Sequence, residues 1–98
     1  MRCVFINRWE PGKYKEVSER YFALLDGKAP KDVMEADKKI KWITREFPSI
    51  YGQNCTVFVA EADETSIATW ERYFADLMTP EFMPTIPFED LQKFGPKK

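Results

Sequence analysis

The sequence predicts one α+β domain spanning residues 1–94, built as β-α-β-β-α-β, with 95–98 a frayed tail. Three observations carry this. Two short runs, Arg2 to Trp9 and Cys55 to Ala62, are crowded with β-branched and aromatic residues. Two longer stretches repeat apolar residues at three- and four-residue steps, the period of an amphipathic helix. Proline and glycine fall between these segments rather than inside them.

The first strand, Arg-Cys-Val-Phe-Ile-Asn-Arg-Trp, ends at Glu10-Pro11-Gly12. Pro11 suits the first turn of a helix, where its missing N–H costs nothing. Tyr14, Val17, Tyr21, Leu24 and Leu25 then form one stripe, and the helix should stop near Gly27. Between Lys28 and Lys39 the chain is polar, but Val33, Ala36 and Ile40 keep helical spacing after Pro30, so a helical extension or a short helical turn is expected rather than coil. Lys41 to Tyr51 reads as a strand through Trp42, Ile43, Thr44, Phe47 and Ile50, with Pro48 marking a bulge, an edge or its end. Turn residues at 51–54 make this strand and the next an antiparallel hairpin. Asp63 is placed to cap the second helix, whose stripe is Ile67, Trp70, Phe74, Leu77 and Met78. Phe82 to Phe88 is extended but interrupted by Pro84 and Pro87, as suits a short edge strand.

That order is the split βαβ pattern of ferredoxin-like folds: a four-stranded antiparallel sheet with two helices on one face. A sheet whose second face meets water should alternate apolar and polar residues. Here Cys3 and Phe5 oppose Val4 and Ile6, and Val57 and Val59 oppose Phe58 and Ala60, so both faces are apolar. A chain this short buries only about 60 to 65% of its unfolded surface, and each large side chain left wet forfeits roughly 1.5 to 3 kcal/mol. The economical solution is a twofold homodimer pairing sheet to sheet, since one surface then covers its own copy.

Fifteen Lys and Arg stand against 16 Asp and Glu, and neither sign forms a run longer than about two residues, so no nucleic-acid or anionic-membrane partner is expected. The chain has no histidine, which removes the commonest acid/base group near neutral pH and the commonest metal ligand. Cys3 and Cys55 sit in apolar runs without metal or redox spacing, and read as core residues. Glu35 with Asp37, and Asp63 with Glu64, match no calcium loop and read as a solvated face and a helix cap. The four glycines build no phosphate loop. No cofactor or metal is expected. With Met1-Arg2 leading directly into a strand and no run of membrane-spanning length, the expected location is a reducing cytoplasm.

Asn7 interrupts an apolar strand face, and a buried amide must find partners or cost about 1 to 3 kcal/mol. A bond to backbone near the helix start is its simplest role. Trp70 lies in the second helix's stripe, where its ring is core and its N–H needs an acceptor. Arg45 is a charge inside a strand, either at the rim, paired, or available to an anionic ligand. Tyr73 offers a phenolic donor on a helix face.

Val57-Phe58-Val59-Ala60-Glu61-Ala62-Asp63 running into a helix, then Trp70, Phe74, Asp76 and Leu77, then Glu81-Phe82-Met83-Pro84, resemble the dimeric α/β-barrel superfamily, specifically its short bacterial and archaeal domains of unknown function. The likeness covers nearly the whole chain except Lys28 to Lys39. It implies a sheet-to-sheet dimer with a site in the cleft between sheet and helices. Some small monooxygenases of that superfamily use an asparagine on the first strand and a tryptophan on the second helix, positions that Asn7 and Trp70 resemble. The haem-degrading members also need an axial histidine, which this chain lacks. Two functions follow: a homodimer that binds a small, partly apolar ligand or serves as an accessory dimer, and, as the alternative, a cofactor-independent monooxygenase using Asn7, Trp70 and Arg45 or Tyr73.

Overall fold

The computed structural model describes residues 1–46 and 54–93. Its elements are β1 (Arg2–Arg8), α1 (Tyr14–Leu25), α2 (Lys31–Lys39), β2 (Lys41–Glu46), β3 (Cys55–Glu61), α3 (Glu64–Phe74), β4 (Thr79–Pro84) and a 3₁₀ segment, η1 (Phe88–Lys93). The expected continuation of β2 through Phe47, Pro48 and Ile50, the turn at 51–53 and the tail from Gly95 lie outside the described residues. The four strands form one antiparallel sheet in the order β2-β3-β1-β4, an α+β arrangement consistent with a ferredoxin-like fold.

Three expectations are corrected. Among the described residues the helices number three rather than two, because the helical turn expected after Pro30 forms a separate helix, α2. Val33 and Ala36 are buried on it, Asp32 lies in its first turn and Lys38 and Lys39 in its last, as the helix dipole favours. The first helix starts at Tyr14 rather than Pro11, because Gly12 adopts a φ of 91° and breaks the chain direction. The last strand begins earlier, at Thr79, and ends at Pro84, since β1 pairs with it from Arg8↔Thr79 to Cys3↔Pro84. Pro80 and Pro84 are accommodated because β4 is an edge strand.

The helix ends follow from local chemistry. α1 closes with Gly27 at a φ of 74°, its N–H donating to Leu24 O at 3.2 Å while Lys28 N–H donates to Ala23 O at 2.8 Å. These two bonds form a Schellman motif, which satisfies carbonyls that the helix leaves open. Asp63 caps α3: Oδ1 accepts from Ser66 N–H at 2.7 Å and Oδ2 from Ser66 Oγ at 3.0 Å. The bond from the Ser66 backbone, followed by that from its hydroxyl, holds the Asp63 carboxyl below its usual range. Asp63→Ala is expected to lower the urea midpoint of unfolding, because the Ser66 N–H then loses its acceptor.

One core lies between the sheet and the helices. Cys3 and Phe5 of β1, Phe58 and Ala60 of β3, Val17 and Leu24 of α1, Val33 of α2 and Ile67, Trp70 and Phe74 of α3 belong to it. Both cysteines are buried and free, as their apolar context implies. The opposite flanks of β1 and β3, Val4, Ile6, Val57 and Val59, are only partly covered. Between Trp42 and Thr44 the β2–β3 register slips, so Trp42 faces Ala60 and Arg45 faces Phe58. Residues three apart on a regular strand would point to opposite faces; the bulge at Ile43 turns both toward the helices. Among the described residues, no helix is long and apolar enough to cross a membrane.

Candidate functional site

β1 carries Asn7 between Thr56 on β3 and Pro80 on β4, facing the helices and wholly buried. The side chain that meets it comes from α3. Glu71 belongs to the buried stripe Ile67, Trp70, Glu71 and Phe74, the i, i+3, i+4, i+7 positions of that helix, and is itself buried. With the amide nitrogen toward α3, Asn7 Nδ2 donates to Glu71 Oε2 at 3.0 Å and Oε1 at 3.1 Å. With the amide turned over, Asn7 Oδ1 is the acceptor that a protonated Glu71 needs, so the pair is satisfied in either protonation state. Burial pushes the Glu71 carboxyl up from 4.5 to about 7. The Cys3 thiol is raised too, chiefly by burial, with the N-terminus opposing and Glu71 adding to the rise.

Glu71 also borders an open groove of about 410 Å³ between α3 and β4, whose other walls are Glu64, Ile67, Ala68, Pro80 and Phe82. Apart from the two acids, these walls are apolar. A larger groove of about 590 Å³ lies at the end of β1, lined among others by Arg8, Glu10, Lys13 and Asp76. Its charges are exposed and of both signs, and Arg8 is already paired with Glu81 at 3.1 Å.

The other sequence candidates are engaged elsewhere. Trp70 is 1% exposed, and its Nε1 donates to Asp37 Oδ1 at 3.1 Å. Trp42 Nε1 donates to the same oxygen at 3.3 Å, and Arg45 Nη2 lies 3.7 Å from it. Arg45 also stacks over the Trp42 ring at 4.2 Å and donates to the Tyr21 hydroxyl at 2.8 Å. The structure thus brings Trp70 and Arg45 together around Asp37, in a network that ties α2 to α3 and β2. Tyr73 stands apart: its hydroxyl donates to Arg20 O at 3.3 Å, with the Arg20 guanidinium 5.7 Å from its ring centre. Arg20 also pairs with Asp76, which holds that carboxyl below its usual range.

Trp70 lines a small cavity with Val17, Tyr21, Thr56, Phe58, Phe74 and Met78 that measures only about 20 Å³, room for a single water. The aromatic cluster fills the remaining space, with Trp70 4.7 Å from Phe74 and 5.2 Å from Trp42 between ring centres. Asn7 is not in that wall.

Two readings change. Asn7 bonds to a side chain on α3 rather than to backbone near the first helix, because the strand places it opposite a stripe position. Asp37 is not part of a solvated face. Asp37 and Glu71 were both missed, yet each carried a signal. Asp37 extends Val33, Ala36 and Ile40, and Glu71 extends Ile67, Trp70 and Phe74, so each is an acid within an apolar stripe.

No family model matches this chain, and no curated protein does. Among solved structures it is similar to an uncharacterized NIPSNAP domain protein from Burkholderia xenovorans, with a TM-score of 0.48 and 14% identity, covering 90% of this chain and 97% of that one.

Proposed function

We propose that this protein is a small-ligand-binding domain acting as a homodimer, with its ligand site in the groove between α3 and β4, where Glu71 forms part of the wall and Asn7 backs it from within the core. The observation that carries this is a buried carboxyl, pushed up to about 7 by burial, in the wall of a groove that is apolar apart from Glu64. A carboxyl buried without a cation costs stability, and such perturbed groups gather at functional sites. A volume of about 410 Å³ falls within the range of small-molecule sites. The interior beside Trp70 is too full for a ligand, which favours the groove over the cleft beneath the helices. Binding is a better reading than oxygenation, because the N–H of Trp70 and the guanidinium of Arg45 are engaged by Asp37 and Tyr21. The test is a ¹⁵N-resolved NMR titration with small molecules that join an apolar body to one polar group. Shifts centred on Ile67, Ala68, Glu71 and Phe82 are expected; their absence with every compound would overturn the reading.

The dimer uses the sheet's open face. Val4 sits between Val59 and Met83, and Ile6 between Val57 and Glu81, so the apolar side chains form one block. Charges frame it, with Arg2 opposite Glu61 and Arg8 bonded to Glu81. A twofold axis through this block sets like on like at its centre and leaves both signs at the margin to pair across the interface. Sedimentation is expected to give a dimer at micromolar concentration, and Ile6→Glu a folded monomer. A wild-type protein that sediments as one subunit would remove this part of the proposal.

A further inference from the structure

We infer that the groove between α3 and β4 selects a small amphiphilic cation, an ammonium group seated against Glu71 with an apolar body lying along Ile67, Ala68, Pro80 and Phe82. The inference rests on the ligand-site reading above and adds the chemical class of the occupant.

Glu64, Ile67, Ala68 and Glu71 share one face of α3, and seven residues of helix put the two acids about 10 Å apart along its axis. The groove is therefore apolar in the middle and acidic toward both ends. Its opposite wall adds no charge. Pro80 and Phe82 face it, whereas Glu81, between them, points to the sheet's other face and bonds to Arg8. Among the described residues no Lys or Arg lines the groove, and the Cys3 thiol on β1 interacts with Glu71 from the sheet side.

Three kinds of ligand can be compared on this ground. An anion meets two acids and no donor of positive charge. A neutral apolar molecule strips the remaining water from Glu71 and offers nothing in return, which holds the carboxyl protonated. An ammonium supplies the missing counter-charge and donors in a water-poor site, where such a pair is strongest. Its apolar body covers the side chains between the acids. Because Glu71 is partly protonated near neutral pH, seating the cation expels a proton from the carboxyl to the solvent.

The experiment uses three probes with the same ring, benzylammonium, benzyl alcohol and benzoate, titrated into the full chain and followed by NMR and calorimetry. Benzylammonium is expected to bind about tenfold more tightly than benzyl alcohol, and benzoate more weakly than either. At pH 6.5 its binding enthalpy should vary with the ionisation enthalpy of the buffer, the mark of a released proton. Glu71→Gln, which keeps the shape and can still hydrogen-bond Asn7, should bring the amine's Kd to within about threefold of the alcohol's. Equal affinities of amine and alcohol for the wild-type groove would overturn the cation inference while leaving the ligand site standing. An undiminished amine preference in Glu71→Gln would overturn it also. If no probe perturbs the groove, both the inference and the site reading fail.

Discussion

The stability of this protein is expected to fall by about 3 kcal/mol as the pH rises from about 4.5 to about 7, and Glu71→Gln to abolish that fall. The carboxyl goes from 4.5 in the unfolded chain to about 7 in the folded one because it is buried without a cation. Between these values the folded state holds the proton that the unfolded state has released, so each increment of pH favours unfolding. The contribution is complete below the unfolded pKa, is lost progressively as pH rises to the folded one, and changes no further above it. At low pH the opposite behaviour takes over. Asp63 and Asp76 are held below their usual value, by the Ser66 bonds and by Arg20 respectively, so what they contribute is present above that value and disappears as pH falls beneath it. A maximum near about pH 4 to 5 follows. Urea midpoints from pH 4 to 9 measure this directly. Wild type and Glu71→Gln should coincide near pH 4.5 and diverge above it, with the glutamine variant the more stable at pH 8. Parallel curves would show that Glu71 is solvated in the folded protein.

Asp37→Ala is expected to lower the unfolding free energy by about 2 to 4 kcal/mol. One carboxylate oxygen accepts both indole N–H groups, from Trp42 and Trp70, and also faces Arg45. Removing it leaves a donor stranded in the core at Trp70, which is 1% exposed, and takes the counter-charge from a guanidinium stacked on Trp42. Asp37→Asn keeps an acceptor for the indoles and loses only the charge, so it should cost about 1 kcal/mol. Tryptophan fluorescence during denaturant unfolding follows both indoles as well as the stability. An alanine variant as stable as wild type would mean that the network contributes nothing net, its electrostatic gain balanced by the desolvation of its parts.

The consequences of the two acids differ although their sequence contexts match. Asp37 lies where an arginine and two indoles converge. Glu71 lies where the neighbouring strand offers only an uncharged amide, and its carboxyl rises. An acid that breaks an apolar stripe is visible in one dimension. What it meets is not, because Trp70 is 33 positions from Asp37 along the chain, and Asn7 lies on a different element from Glu71.

The same division holds for the scaffold. Asp63 was recognisable as a cap because its partner, Ser66, is three positions away, and Gly27 as a helix stop because the bonds that end α1 are equally local. The doubly apolar flanks of β1 and β3 could be counted directly from alternation. The early start of β4 could not, since Pro80 is recruited by the edge of β1 against its own preference. Nor could the bulge at Ile43, which places Arg45 on the helix side beside Trp42.

Element type and the helix ends follow from interactions within one or two turns of chain, and the residue order alone was sufficient for them, as it was for the apolar context of both cysteines. The union of Asn7 with Glu71, the enclosure of Asp37 and the groove between α3 and β4 arise only when distant segments pack, because a buried polar group takes whichever partner the fold brings within about 3 Å.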